Sequence, residues 1–243
     1  GQVGRCPPDR PADPEEDYLA LLPVLGCFLL VLAVPDPALW RLTYADRDLP
    51  AAEKQRLMAA YRRFVQRHLY FHGEHRTFLS KNPSFTPFMA TLADAFPDAR
   101  FIGCLRNPTA AVPSQINSIV IGGKLFDGRD TADYWREGFL AMLDYYYRHL
   151  LEQLDGLPEG RGALSVMETL AAAPGESVSG FYRTFGWTPS PGYRAFLDGE
   201  DRRAAAYRSG HRYSLENLGV DPGRLAATFG WVYDRFGYPR PGD

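Results

Sequence analysis

Apolar positions along the chain follow two rhythms. From Ala51 to His72, Leu57, Tyr61, Phe64, Val65 and Leu69 recur at helical spacing while Arg and Lys fill the other side, which predicts one amphipathic helix. Elsewhere the apolar residues gather in short runs. "RTFLSK" (76–81), "ARFIGCLR" (99–106) and "ALSVME" (163–168) read as short buried strands. A helix is expected after each: "SFTPFMATLADAF", then "NPTAAVPSQINSI" with Asn107 as cap and Pro108 as first residue, then "GESVSGFYRTFG" ended by Gly186. A long helix rich in Tyr and Leu should run from Thr131 to Leu154, and "PGRLAATFGWVYDRFG" reads as helical with Pro and Gly breaks. Strands alternating with helices predict an α/β fold whose parallel sheet is covered on both faces.

Residues 1–13 read as an irregular leader and 14–243 as a single α/β domain. "DPEED" looks like a helix start, with Asp13 as cap and Pro14 at the first helical position. The run "LALLPVLGCFLLVLAV" (19–34) falls short of the roughly 20 residues that cross a bilayer, and Pro23 and Gly26 interrupt it. It is expected to be a buried core segment rather than a membrane span. The acids before it also lack the basic flank of a signal peptide.

Composition narrows the function. A net charge of -2 over 243 residues argues against a nucleic-acid-coating surface, so any anion site must be a local cluster. Three cysteines (Cys6, Cys27, Cys104) are too few and too scattered for a disulfide framework or a zinc site. Cys104, inside an apolar run, is expected to be a buried thiol, and a reducing, cytoplasmic compartment fits. His68, His72 and His75 lie near one another, yet no carboxylate or Cys completes a ligand set, so solvated or capping roles are expected and no metal.

The chemistry-bearing pattern is a pair of cations. Lys81 and Arg106 each fall where a predicted strand ends and a helix begins. In parallel strands such ends share one sheet edge, where ligands bind and helix N-termini favour anions. Ser114, further into the second helix, would add a hydroxyl donor. Arg-Asn-Pro is equally a good strand-to-helix turn, and Lys81 equally a surface charge.

"FLSKNPSFTPFMATLADAFPDARFIGCLRNPTAAVPS" resembles the central segment of sulfotransferases that use 3′-phosphoadenosine 5′-phosphosulfate (PAPS), in particular their broad bacterial branch. Members carry Lys-(Ser/Asn)-Pro, then "FPDA", a strand, and Arg-(Asp/Asn)-Pro with a Ser some eight positions after the Arg. The likeness extends to "PEEDYLAL" upstream and "SGHRYSLENLGVDP" downstream, and so from about Pro14 to Tyr238. It implies a P-loop-NTPase-like sulfotransferase fold that moves a sulfuryl group from PAPS to a hydroxyl or amine on a small molecule or glycan. Nucleic acid, membrane and metal are not expected to take part. By this resemblance Arg106 and Ser114 grip the donor's 3′-phosphate, while Lys81 faces the sulfuryl group or the acceptor. Arg208, Ser209 and His211 would contribute to the donor or acceptor site, although a plain C-terminal loop explains them equally well.

Three departures from the family pattern stand out. Its opening strand and Gly/Ser/Thr-rich phosphosulfate loop have no match here, so the chain is expected to be N-terminally incomplete and to lack the first strand. "IVIGGKLF" (119–126) lacks that loop's spacing. Pro83 stands where many members place a His base, leaving Glu16 and Asp17 as candidate proton acceptors, unless they serve only as favourable charge at a helix start. Met167-Glu168 replaces a Tyr-Glu pair, so the ring expected near adenine is gone. A non-catalytic, degenerate binding module is the alternative function, and a kinase-like enzyme ranks behind both.

Overall fold

A computed structural model describes residues 17–34, 36–127, 132–206 and 219–242. The chain forms two compact units that divide between Ala95 and Phe96.

In the first unit the apolar run folds as two short pieces, a 3-10 turn over Asp17–Val24 and helix α1 (Leu30–Ala33). Leu21, Cys27 and Val31 are buried, as expected of a core segment, whereas Leu19, Leu22 and Leu25 stay partly in solvent. Among the described residues no helix is long and apolar enough to cross a membrane. A second 3-10 turn (Pro37–Tyr44) leads into α2 (Ala45–Asp48) and then α3 (Ala51–His72), whose bounds match the periodicity. Leu57, Met58 and Tyr61 form the buried stripe of α3. Gly26 lets that stripe approach, since a Cβ there would run into the Leu57 side chain. His68 and His72 are exposed, with ring centroids 4.4 Å apart.

Residues 76–81 are not a strand. Leu79 is 88% exposed, and no other described segment of this unit is a strand that could supply ladder partners. An apolar run becomes a strand only by pairing. The helix predicted after it begins as a 3-10 turn (Pro83–Phe88), and α4 proper is Met89–Ala95. Pro87, which has no N–H to donate, lies within that opening turn.

The start of α4 is held from outside. Asp46 accepts from the Ala90 N–H at 2.8 Å, from the Thr91 N–H at 3.1 Å and from the Thr91 hydroxyl. One half-buried carboxylate thus satisfies first-turn donors from elsewhere in the chain. Asp46→Ala is expected to cost about 1–2 kcal/mol, read as a lower urea midpoint at unchanged slope.

In the second unit, strand β1 (Phe101–Leu105) pairs in parallel with β2 (Gly162–Val166) in the register Phe101↔Gly162 to Leu105↔Val166. Between them run α5 (Pro108–Asp127) and α6 (Ala132–Gly156). After β2 come α7 (Met167–Ala172), α8 (Pro174–Thr184), α9 (Pro191–Ala206) and α10 (Pro222–Phe236). Gly186 ends α8 as expected: its φ is 68°, its N–H donates to Arg183 O at 3.2 Å, and Trp187 N–H donates to Tyr182 O at 2.8 Å.

Phe139, Leu143, Tyr147 and Leu151 recur every four residues along α6 as its buried stripe. Gly103 admits the helix to the sheet, for a Cβ there would strike Leu154 Cδ1 at 2.6 Å. α10 adds fully buried Phe229, whose ring meets that of Tyr147 edge-on at 5.5 Å. Asp144 fastens the same two helices, accepting from Trp231 Nε1 at 2.8 Å and from Arg148 Nε at 2.9 Å.

The expectation of a sheet covered on both faces holds only in part. One face lies on α6, but on the other Ile102 is 40% exposed. Cys104, on that same face, is exposed rather than buried. Its apolar neighbours in sequence are correctly a strand, yet no described helix covers that side of β1.

Candidate active site

Lys81 lies in the first unit, on the exposed stretch before the Pro83 turn. Its two neighbours are both tied to Asp17. Asp17 Oδ1 accepts from Ser80 Oγ at 2.9 Å and from Asn82 Nδ2 at 3.0 Å, while Oδ2 accepts from the Tyr61 hydroxyl. Asn82 also caps the turn that follows, its Oδ1 accepting from Ser84 N–H at 3.0 Å. Burial, reinforced by the hydrogen bond to Asp17, pushes the Tyr61 phenol well above its usual range. It therefore stays a donor at neutral pH. The Asp17 carboxylate receives three donors, and it ties down the side chains on either side of Lys81.

Arg106 and Ser114 lie in the second unit, as the sequence order requires. Arg106 follows β1, and Asn107 caps α5 as predicted, with Oδ1 accepting from Thr109 N–H at 2.9 Å. Pro108 is the first helical residue. Ser114 is half-buried, six residues further on, about 9 Å along the helix axis. The "IVIGGKLF" segment continues the same helix, so its Gly-Gly-Lys is not in a loop. Thr109 Oγ1 and the Tyr233 hydroxyl are 3.0 Å apart, which ties the first turn of α5 to α10.

Sequence reasoning did not find the residues that hold the Arg106 turn. The Arg106 carbonyl accepts from the Tyr147 hydroxyl at 2.6 Å. The next N–H, that of Asn107, donates to Glu168 Oε1 at 3.1 Å. Glu168 Oε2 in turn accepts from the Tyr238 hydroxyl at 2.9 Å. Burial, then the nearby Tyr238 and Glu168, push the Tyr147 phenol far above its ordinary range. Burial and Glu168 do the same for Tyr238. A signal for Glu168 is present in the sequence, since an acid two residues past the end of β2 lies at the same end as the Arg106 turn. Nothing local marks Tyr147 or Tyr238.

Glu16, Arg208, Ser209 and His211 lie outside the described residues. Among the described residues no group of three His, Cys, Asp or Glu side chains is arranged to hold a metal ion.

Arg106 directly precedes the Asn107-capped start of α5, and Ser114 lies within that helix. Comparison with known proteins bears on family and fold. A family model described as the sulfotransferase family matches residues 33–189, more than half of the chain, and includes Lys81, Arg106, Ser114 and Glu168. No curated protein matches. Among solved structures, sulfotransferase STF9 from Mycobacterium avium superposes with a TM-score of 0.76 at 18% sequence identity, over 99% of this chain. The chain spans 62% of the length of that structure. At such identity the likeness speaks for the fold, which is the α/β sulfotransferase fold. The family match speaks for descent: this chain belongs to the sulfotransferase family.

Proposed function

We propose that the protein transfers a sulfuryl group from PAPS to a hydroxyl or amine on a small-molecule or glycan acceptor. Family membership supports the reaction class. The feature that supports the donor assignment is the Arg106–Asn107–Pro108 turn, in which Arg106 directly precedes a capped helix start. In this reading Arg106 binds the donor's 3′-phosphate through paired N–H donors and Ser114 contributes its hydroxyl. Arg208 and Ser209 are assigned to the same donor.

Lys81 serves the transferring group. As the S–O bond to the leaving phosphate breaks, charge grows on the bridging oxygen, and a fixed ammonium stabilises it. The acceptor's proton goes to an acid of the Glu16–Asp17 pair. Asp17 already receives three hydrogen bonds, which favours Glu16 as the acceptor and leaves Asp17 the task of fixing the lysine's neighbours. The scheme calls for no metal.

The decisive experiment supplies the full-length protein with PAPS carrying radiolabelled sulfate and a panel of alcohols, phenols, amines and glycans. Label is expected to move to at least one acceptor class, and Arg106→Ala is expected to slow that transfer. Donor bound but returned intact from every acceptor would instead identify a non-catalytic binding module.

A further inference from the structure

Arg106 C=O and Asn107 N–H belong to one peptide group, and both of its polar atoms are held by side chains from other elements. Tyr147, on α6, donates to the oxygen at 2.6 Å; Glu168, on α7, accepts from the nitrogen at 3.1 Å. A peptide plane gripped at both ends cannot rotate without breaking one bond, and that plane sets the direction in which the Arg106 Cα–Cβ bond leaves the strand. Tyr238 orients the second oxygen of Glu168, and Tyr147 is fixed by burial against Phe229.

There is a tension in this arrangement. Glu168 is an exposed carboxylate at the end of the sheet assigned to a phosphate. On charge alone it would repel the ligand. Its place there is accounted for if its hydrogen bond does more for the site than its charge takes away.

We infer that Glu168 and Tyr147 are positioning residues that aim the Arg106 guanidinium at the 3′-phosphate by clamping the Arg106–Asn107 peptide. The inference rests on the proposed role of Arg106. It goes beyond that role in assigning a task to Glu168, the retained half of the family's Tyr-Glu pair, and to a tyrosine on a different helix.

The test compares two ligands by titration calorimetry on the full-length protein: adenosine 3′,5′-bisphosphate, and adenosine 5′-monophosphate, which lacks the 3′ group. The ratio of their dissociation constants isolates the contribution of the 3′-phosphate. Glu168→Ala and Tyr147→Phe are each expected to weaken the bisphosphate about tenfold and leave the monophosphate within about twofold. Glu168→Gln should remain within about threefold of wild type, because an amide can accept from Asn107 N–H and donate to Tyr238. In an Arg106→Ala background, Glu168→Ala should change the ratio no further.

Equal weakening of both ligands would mean that Glu168 and Tyr147 serve stability alone, and would overturn the inference. Tighter bisphosphate binding in both Glu168 variants would overturn it too, showing plain repulsion. If Arg106→Ala collapses the ratio while Glu168→Ala and Tyr147→Phe do not, the clamp falls and the role of Arg106 stands. An Arg106→Ala protein with the wild-type ratio removes both. Should Glu168→Ala fold poorly, the exchange rate of the Asn107 amide in Glu168→Gln and Tyr147→Phe decides. Protection kept in the former and reduced in the latter supports the clamp, and any other pattern overturns it.

Discussion

Lys81→Ala is expected to lower kcat by about 10²- to 10³-fold, the usual cost of removing one preorganised charge from a developing anion. The KM for the donor should change far less, because the ground-state sulfate is already charged and the lysine acts mainly on charge that appears as the bond breaks. The side chain is exposed, and the residues on either side are held by Asp17 independently of it. Thermal stability should therefore stay within about 0.5 kcal/mol of wild type, and a fall in kcat can be read as chemistry rather than unfolding. Steady-state kinetics with the best acceptor from the panel checks this. A kcat within a factor of two of wild type would take Lys81 out of the mechanism. Lys81→Arg tests the same point from the other side: it keeps the charge and loses the compact ammonium, so only partial recovery is expected.

The second large effect concerns binding. Arg106→Ala should raise the dissociation constant of the desulfated donor about ten- to a hundredfold, equivalent to about 1.5–3 kcal/mol for a hydrogen bond to a charged group. Calorimetry measures it directly. Salt should separate the specific contact from general attraction, because the wild-type protein loses affinity with ionic strength faster than the variant if the guanidinium meets a phosphate dianion. Arg106→Lys should recover little, since a point charge does not reproduce a two-pronged fork. An unchanged dissociation constant in Arg106→Ala would remove the residue from the site.

Much of the fold was legible because it depends on local chemistry. The 3.6-residue period over 51–72 gave α3 its observed bounds, and Asn-Pro after an apolar run gave the cap and first residue of α5. The C-terminal Gly of α8 was equally plain. Errors arose where a residue's state is decided by something distant. Residues 76–81 have the apolar content of a strand but no ladder partner among the described residues of their unit, and Cys104 has apolar sequence neighbours but an open face above it. The site divides in the same way. Lys81, Arg106 and Ser114 are proposed from motif spacing and family resemblance, whereas the clamp joins Arg106 to Tyr147 and Asn107 to Glu168, which lie 41 and 61 positions apart. No periodicity encodes a hydrogen bond between two helices and a turn. By sequence Asp17 is an acid available for catalysis, and only the positions of Tyr61, Ser80 and Asn82 reveal the company it keeps.

The parallel pairing of β1 with β2 bears on how this half of the protein is assembled. The strands are separated in sequence by residues 106–161, so their pairing is a non-local contact. Closing so long a connection costs entropy before any ladder bond repays it, so zipping of the pair should come late, after the local hydrogen bonds of α5 and α6 have formed. Glu168, beyond the far end of β2, would then engage the Arg106 turn after the main barrier has been crossed. Stopped-flow chevrons should show Glu168→Ala hastening unfolding with little change in the refolding limb. The grip on the arginine would be the last part of this unit to form and the first to let go.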